Sequence, residues 1–501
     1  MTSSFVNRQA SKPAFTQQLS QLKYRDYCSI SLKSLSIFSF LYFLTRKRSL
    51  WVAFFRIPAI LKAFLSDCRI HSTVRETHGK SDHSALRMEE IFMIQAAIFG
   101  FGNIGSGVAA VLEENCKQVA KAVPGGIHVK YILDIRDFPD SPFADRIVHD
   151  IDVILSDPEI KVVCETMGGK EPAFTFSKRA LEKGISVCSS NKELVEAFGP
   201  ELLRIASENH CSYLFEASVG GGIPLLTPLL QNLAQEEIQS VTGILNGTTN
   251  YILTKMERYG ADYAQVLKEA QDLGYAERNP AADVEGHDTG RKISIISSLI
   301  SGKTIRFDDI YTEGITKITP VDFTWAKANG YSIKLLGRSK KAADPSGDGT
   351  AQIEVMTAPF LVKEGHPLYG VCDVFNGVLV HGNMVDDVMF YGRGAGKLPT
   401  GSAVVADMIL AAKNIGQTVP VEWNPEVLVP VPSGECINAF FVRMNSTDAE
   451  KTRTVFADKI SAVWSAQDDA EFVFVTCQMQ ENCFFDLLGK AGEALSVIRV
   501  L

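Results

Sequence analysis

From residue 94 onward, short continuous apolar runs alternate with stretches of helical period. "IQAAIF" (94–99) reads as a buried strand, and "NIGSGVAAVLEEN" after its glycines reads as a helix. "HVKYILDIRD", "KVVCETMGG", "ISVCSSNKEL" and "SYLFEASVGGG" continue the strands, with helices predicted at "EPAFTFSKRALEKG" and "PELLRIASENH". Strands alternating with helices predict an α/β fold, a Rossmann-type doubly wound parallel sheet, over residues 93–226. The pattern then changes. Residues 227–390 hold a strand–turn–helix ("GILNGTTNYILTKMERYG"), a helix ("AQVLKEAQDLGY") and longer strands ("AQIEVMTAPFLV", "VFNGVLVHGN"), which predict an α+β substrate and dimerisation domain. Residues 430–501 read βαββαβ.

Charge sets the beginning of the chain apart. Residues 1–92 carry 14 Lys/Arg and 6 Asp/Glu, whereas the whole chain has 50 and 58. The apolar run "SLSIFSFLYFL" (34–44) falls short of the roughly 20 residues a spanning helix needs. An interfacial anchor and a disordered tail are both open for this segment. We expect a third reading, a basic extension foreign to the natural product, because the α/β pattern starts abruptly after Met93. Ten scattered cysteines without a CxxC pair indicate free thiols in the cytoplasm. The acidic remainder gives no reason to expect nucleic acid as a partner, and no membrane is expected for the core.

Candidate chemistry lies at the strand ends, where open α/β sheets bind ligands. Gly100, Gly102 and Gly105 form GxGxxG between a strand and a helix, the setting that brings backbone and helix N-terminus to a pyrophosphate. Asp134 could hold a ribose hydroxyl and Arg136 a 2′-phosphate, so NAD and NADP both stay open. Thr166 and Lys192 follow later strands. "FEASVGGGIPLL" (215–226) reads as a hinge or, with Glu216, as a monovalent-cation site, and spacing alone favours the hinge. In "ERNPAADVEGHDTGRK" (277–292), Asp288 and Lys292 stand four apart on a helix predicted to start near Asp288. A surface ion pair worth about 0.3–0.5 kcal/mol would explain them. It would not explain Glu277, Asp283 and Glu285 crowded just before, which suggests a cationic ligand among them.

"GFGNIGSG", "SSNKEL", "EASVGGGIP", "GILNGTTNYIL", "LGYAERNPAADVEGHDTGRK" and "YGRGAGKLPTGSAVVAD" occur in this order, and together they resemble homoserine dehydrogenase over about residues 93–410. The resemblance implies NAD(P)-linked interconversion of L-aspartate 4-semialdehyde and L-homoserine, in the biosynthesis of threonine, methionine and isoleucine. By position it implies a proton-donating lysine at Lys292 with Asp288 beside it, a second active-site lysine at Lys192, and substrate binding by Glu277 and Asp283. Cofactor binding is implied at Gly100, Gly102, Asn103, Ile104, Gly105, Thr166, Lys192, Gly274 and Gly396. A sodium-like cation is implied at Glu216 with the carbonyls of Val219, Gly221 and Ile223, which reverses the preference for a hinge. The nucleotide-binding domain would be completed by about residues 391–415, and a homodimer or homotetramer is expected.

The chain departs from the family's pattern in places. Asn279 stands where an aspartate is more usual, and Gly290 sits in the first turn of the helix, with effects expected on loop stability only. The C-terminal piece resembles an ACT domain, but "NSTDAEKT" replaces that module's usual glycine turn. Threonine sensing, dimerisation and a structural cap are all open for it. Two other functions would share the nucleotide fold: a reductase of another semialdehyde or cyclic imine, and a non-catalytic nucleotide and amino-acid sensor. The paired lysines argue against both.

Overall fold

The computed structural model describes residues 93–342, 352–465 and 469–501, so the expectation for residues 1–92 falls outside the described residues. The first sheet contains β1 (Ile94–Phe99), β2 (Ile127–Leu133), β3 (Ile147–Val148), β4 (Ile160–Glu165), β5 (Ser186–Ser189) and β6 (Tyr213–Leu214). Its order is β3-β2-β1-β4-β5-β6, with every neighbouring pair parallel. That is the doubly wound order, whose direction reverses between β1 and β4. Burial on both faces explains why these strands are unbroken apolar runs: Ala96 to Phe99 and Val162 to Cys164 are all fully buried.

Helices α1 (Asn103–Glu114), α2 (Ala173–Glu182) and α3 (Lys192–Glu208) connect these strands. Here the structure corrects a boundary. The sequence reading starts a helix at Pro200, but α3 begins eight residues earlier and carries Pro200 inside it. The Asn191 side chain accepts from Glu193 N and Leu194 N, each at 3.2 Å, and this cap starts the helix. Lys192 is therefore the first residue of a helix and has a fixed origin.

The second sheet is built on β7 (Ile238–Ile244), β8 (Tyr331–Lys341), β9 (Ile353–Lys363), β10 (Phe375–Gly382) and β11 (Asp386–Arg393). Helices α4 (Gly247–Tyr259), α5 (Tyr263–Asp272) and α6 (His287–Ser301) accompany it, and α6 packs against β8, β9 and α3. Helix α7 (Lys397–Lys413) then returns the chain to the first sheet, where it packs on α1, β4 and β5. Two glycines let α1 and α7 touch. A Cβ on Gly401 would come within 2.7 Å of the Gly107 backbone, and a Cβ on Gly107 would run into the Lys397 carbonyl.

The C-terminal segment folds as β12 (Ile437–Asn445), α8 (Ala449–Phe456), β13 (Ile460–Val463), β14 (Glu471–Thr476), α9 (Glu481–Ala491) and β15 (Ala494–Val500). It extends the second sheet, which runs β11-β10-β7-β8-β9-β15-β12-β14-β13. Two buried arginines join it to the preceding residues. Arg443 pairs with Asp322 at 2.6 Å and Glu471 at 2.7 Å, and Arg499 pairs with Glu313 and Glu481 at 2.7 Å each. No described helix is long and apolar enough to cross a membrane.

Candidate active site

The glycine turn after β1 is set by sterics. Gly100 has φ +88°, its N–H donates to Leu133 O at 2.8 Å, and a Cβ there would meet Met167 Cγ at 2.8 Å. A Cβ on Gly105 would run into the Gly100 carbonyl and lie 2.8 Å from Thr166 Oγ1. Gly102 differs, because the space beside it is open. Gly102 also caps α1 without any side-chain hydrogen bond, so the first N–H groups at Asn103 and Ile104 face this space without a side-chain cap. Thr166 closes the other side, donating its hydroxyl to Gly100 O at 2.7 Å. An open cleft against an uncapped helix N-terminus suits a pyrophosphate.

Asp134, one residue beyond β2, is buried. Its carboxylate accepts from Phe101 N at 2.8 Å, and from Arg136 N, Nε and Nη2 at 3.0, 2.9 and 3.0 Å. Burial alone would raise its pKa, but Arg136 and the Phe101 amide outweigh it and hold the carboxyl down at about 2. The acid is therefore neutralised in place, and the more exposed partner is the guanidinium.

The lysines converge on one carboxylate. Asp288 is 6 % exposed, and it meets Lys292 Nζ at 2.7 Å, Lys192 Nζ at 3.2 Å and Asn246 Nδ2 at 2.9 Å. Lys292 also donates to Leu245 O, one residue past β7, at 2.8 Å. The Asn246 amide reaches Asp283 as well, at 2.8 Å. Burial pushes Asp288 up, yet the charges of Lys292 and Lys192 prevail and keep it well below the ordinary carboxylate range. Asp288 in turn raises Lys192, so both groups stay charged. Asp283 moves the other way, raised by burial and by the neighbouring Asp288.

This geometry overturns the surface-pair reading of Asp288 and Lys292. Period alone put them on a solvated face, but α3 and the β7–α4 turn cover that face. The crowded acids do not share one environment. Only Asp283 and Asp288 enter the cluster, and the cations beside them are the chain's own lysines. Glu277 is exposed, its carbonyl accepting from Gln271 Nε2 at 3.0 Å, and Glu285 is exposed beside His287 at 3.8 Å. Gly274, with φ +74°, lies just past the end of α5 on the same exposed loop.

Helix α6 begins one residue earlier than expected, at His287, after Gly286 in the left-handed region at φ +85°. Gly290 has a packing role, since a Cβ there would stand 2.5 Å from the Phe307 ring. Sequence reasoning missed Asn246. Its side chain accepts from Thr249 N at 2.8 Å and starts α4, while its amide bridges the two acids. The asparagine before "GTTNYIL" carried the cap signal, but the amide's second task has no sequence signature.

The glycine-rich loop after β6 is braced by carboxylates. Glu216 is buried, and its side chain accepts from Leu225 N, Leu226 N and Thr227 N at 2.6, 2.7 and 2.6 Å. Its own N–H donates to Asp407 of α7 at 2.9 Å. A cation at this loop would therefore rely on backbone carbonyls such as those of Val219, Gly221 and Ile223, because the Glu216 carboxylate is already engaged. This donor set of neutral carbonyl oxygens fits a monovalent ion. Gly221, at φ +57°, abuts Gly394, and Gly396, at φ +126°, starts α7, so the two glycine-rich loops meet backbone to backbone.

Comparison with known proteins agrees along the chain. Residues 100–216 match the family described as homoserine dehydrogenase, NAD binding domain, and residues 224–409 match homoserine dehydrogenase. The homoserine dehydrogenase of Mycobacterium tuberculosis is 39% identical over 362 residues, covering 71% of this chain and 81% of that protein. That of Bacillus subtilis is 35% identical over 414 residues, covering 79% and 94%. The crystal structure of a homoserine dehydrogenase from Thiobacillus denitrificans aligns with a TM-score of 0.73 at 30% identity, covering 82% of this chain and 98% of that one.

Proposed function

The chain belongs to the homoserine dehydrogenase family, and from that premise we propose how its residues divide the reaction. It is an NAD(P)-dependent oxidoreductase that interconverts L-aspartate 4-semialdehyde and L-homoserine. The nicotinamide cofactor, when bound, supplies or accepts the hydride. Gly100, Gly102 and Gly105 give the pyrophosphate room, the α1 N-terminus at Asn103 and Ile104 faces it, and Thr166 holds the turn closed. Lys192, Gly274 and Gly396 complete the cofactor's surroundings. Arg136, with Asp134 neutralised against it, favours a 2′-phosphate and hence NADP.

Hydride arriving at the aldehyde carbon leaves negative charge on its oxygen. Lys292 donates the proton to that oxygen, Asp288 aims Lys292, and Lys192 supplies a second positive centre. Asp283 is the carboxylate nearest the cluster for the substrate ammonium, and Glu277 on the adjoining loop is the second. A sodium-like ion on the carbonyls of Val219, Gly221 and Ile223 would tie the loop after β6 to the glycines before α7. The observation that carries the reading is the convergence of two lysines from different helices on one buried carboxylate. The test is the rate of homoserine oxidation by wild type and Lys292→Ala with NAD⁺ and with NADP⁺. A drop of at least about 10²-fold with cofactor affinity retained is expected, and wild-type turnover would refute the assignment.

The C-terminal βαββαβ unit is a fixed support rather than a threonine sensor. The turn after β12 is closed by Ser446–Asp448 and runs straight into α8, and the unit is held by the ion pairs of Arg443 and Arg499. The protein assembles as a homodimer or homotetramer, with edge strand β11, its exposed Tyr391, and the exposed Met384 and Val385 of the turn before it as the contact surface. Light scattering would give the mass.

A further inference from the structure

Another buried acid touches none of the groups assigned above to the reacting atoms. Glu165, the last residue of β4, is fully buried. Its Oε2 accepts from Ser189 Oγ at 2.6 Å and its Oε1 from Met167 N at 2.8 Å. The backbone repeats the link, as Ser190 N donates to Glu165 O at 3.1 Å. Ser189 Oγ then accepts from Asn191 N at 3.1 Å, and Asn191 Nδ2 donates to Gly169 O at 2.6 Å. Asn191 is the residue that caps α3 and so fixes the origin of Lys192.

One carboxyl thus fastens two turns. The turn after β4 carries Thr166 and Met167, and Met167 is what crowds Gly100. The turn after β5 delivers Lys192. The polar contacts of the Glu165 carboxyl are the Ser189 hydroxyl, the Met167 backbone amide and the Asn191 side chain, and the titratable groups beside it are Tyr213 and Cys164. A buried acid held this way is costly, and a neutral residue of the same size would relieve that cost. Stability therefore does not account for it, while its contacts span the nucleotide turn and the cap of the lysine helix.

We propose that Glu165 is a positioning residue that sets the placement of Lys192 relative to the nicotinamide side of the cofactor turn. The inference rests on the reading of Lys192 as a positive centre at the reacting oxygen. Glu165→Gln keeps the size but places a donor where the Ser189, Met167 and Asn191 donors converge, so a link breaks. The expected result is a kcat lower by on the order of tenfold, a thermal midpoint no lower than wild type, and weaker NADPH binding. In a Lys192→Ala background the same change should lower kcat by less than about twofold, because the group it places is gone. Ser189→Ala, which removes the hydroxyl link alone, should lower kcat by about threefold or more and covers the case in which Glu165→Gln fails to fold.

The outcomes separate. If Lys192→Ala itself turns over like wild type, the reading of Lys192 falls. If Lys192→Ala is impaired but Glu165→Gln and Ser189→Ala have wild-type kcat, the inference about Glu165 is overturned. It is overturned equally if Glu165→Gln lowers kcat as much in the Lys192→Ala background as in wild type.

Discussion

Removing the Lys292 amine and the Asp288 carboxylate, singly and together, tests the centre of the site. General-acid assistance of 10²–10⁴-fold corresponds to about 3–5 kcal/mol of barrier, so Lys292→Ala should lose that much in kcat. Asp288→Asn leaves two lysines facing a neutral amide where Asp288 met them at 2.7 and 3.2 Å. Both partners of the shorter pair are nearly excluded from solvent, at 11% and 8% side-chain exposure. Breaking such a pair costs about 3–5 kcal/mol of stability, which thermal or urea unfolding would read directly. If Asp288 acts by aiming Lys292, the double variant should be no more than about tenfold slower than Lys292→Ala, although each single change costs 10²-fold or more. Stopped-flow or steady-state rates with homoserine and saturating NADP⁺ provide the four corners of the cycle. Additive losses, or a Lys292→Ala enzyme with wild-type kcat, would refute the assignment of proton donation to this pair.

Other expectations follow from the geometry. Gly102→Ala should leave the fold intact, since nothing lies near its Cβ, yet weaken cofactor binding; Gly105→Ala should lower the thermal midpoint as well, because its Cβ collides with Gly100 O. Calorimetric titration with NADPH alongside thermal melts separates the two. Arg136→Ala should raise KM for NADP⁺ at least about fivefold with a smaller change for NAD⁺, and equal changes would remove the role given to its guanidinium. Burial raises the Glu165 carboxyl from 4.5 to about 7, so the folded protein keeps a proton that the unfolded chain has lost in that window. Stability contributed by this group is greatest below the unfolded value and falls as pH rises through the window, by up to about 1.4 kcal/mol per pH unit; Glu165→Gln should flatten that slope in urea titrations. Millimolar L-threonine should leave the rate unchanged, and inhibition would reassign the C-terminal unit from support to sensor.

Much of the first sheet was legible because its signal is local. A strand buried on both faces must be continuously apolar, and a nucleotide turn at a parallel strand needs glycine where a Cβ would collide, so "IQAAIFGFGNIGSG" specifies its conformation within a few residues. Helix α3 was misjudged because Pro200 resembles a start signal, while the side chain of Asn191 supplied the cap. The lysines and Asp288 were legible as residue types and as a resemblance, and so was the i, i+4 pairing of Asp288 with Lys292, but the contact of Lys192 with Asp288 was not. Asp288 and Lys192 are 96 positions apart and meet only where α3 and α6 pack. Glu277, assigned by resemblance, stands exposed on the loop before the helix.

The chain by itself determined which strands would be buried, where backbone must bend without a side chain, and which charged groups were available. Only the tertiary structure decided which of the four acids in "ERNPAADVEGHDTGRK" would lose their water. Periodicity cannot supply that information, since an i, i+4 pair reads the same on a solvated face and on a covered one. Covering it with α3 and the β7–α4 turn moved Asp288 and Lys292 out of solvent, and there a carboxylate holds two ammonium groups strongly enough to aim them.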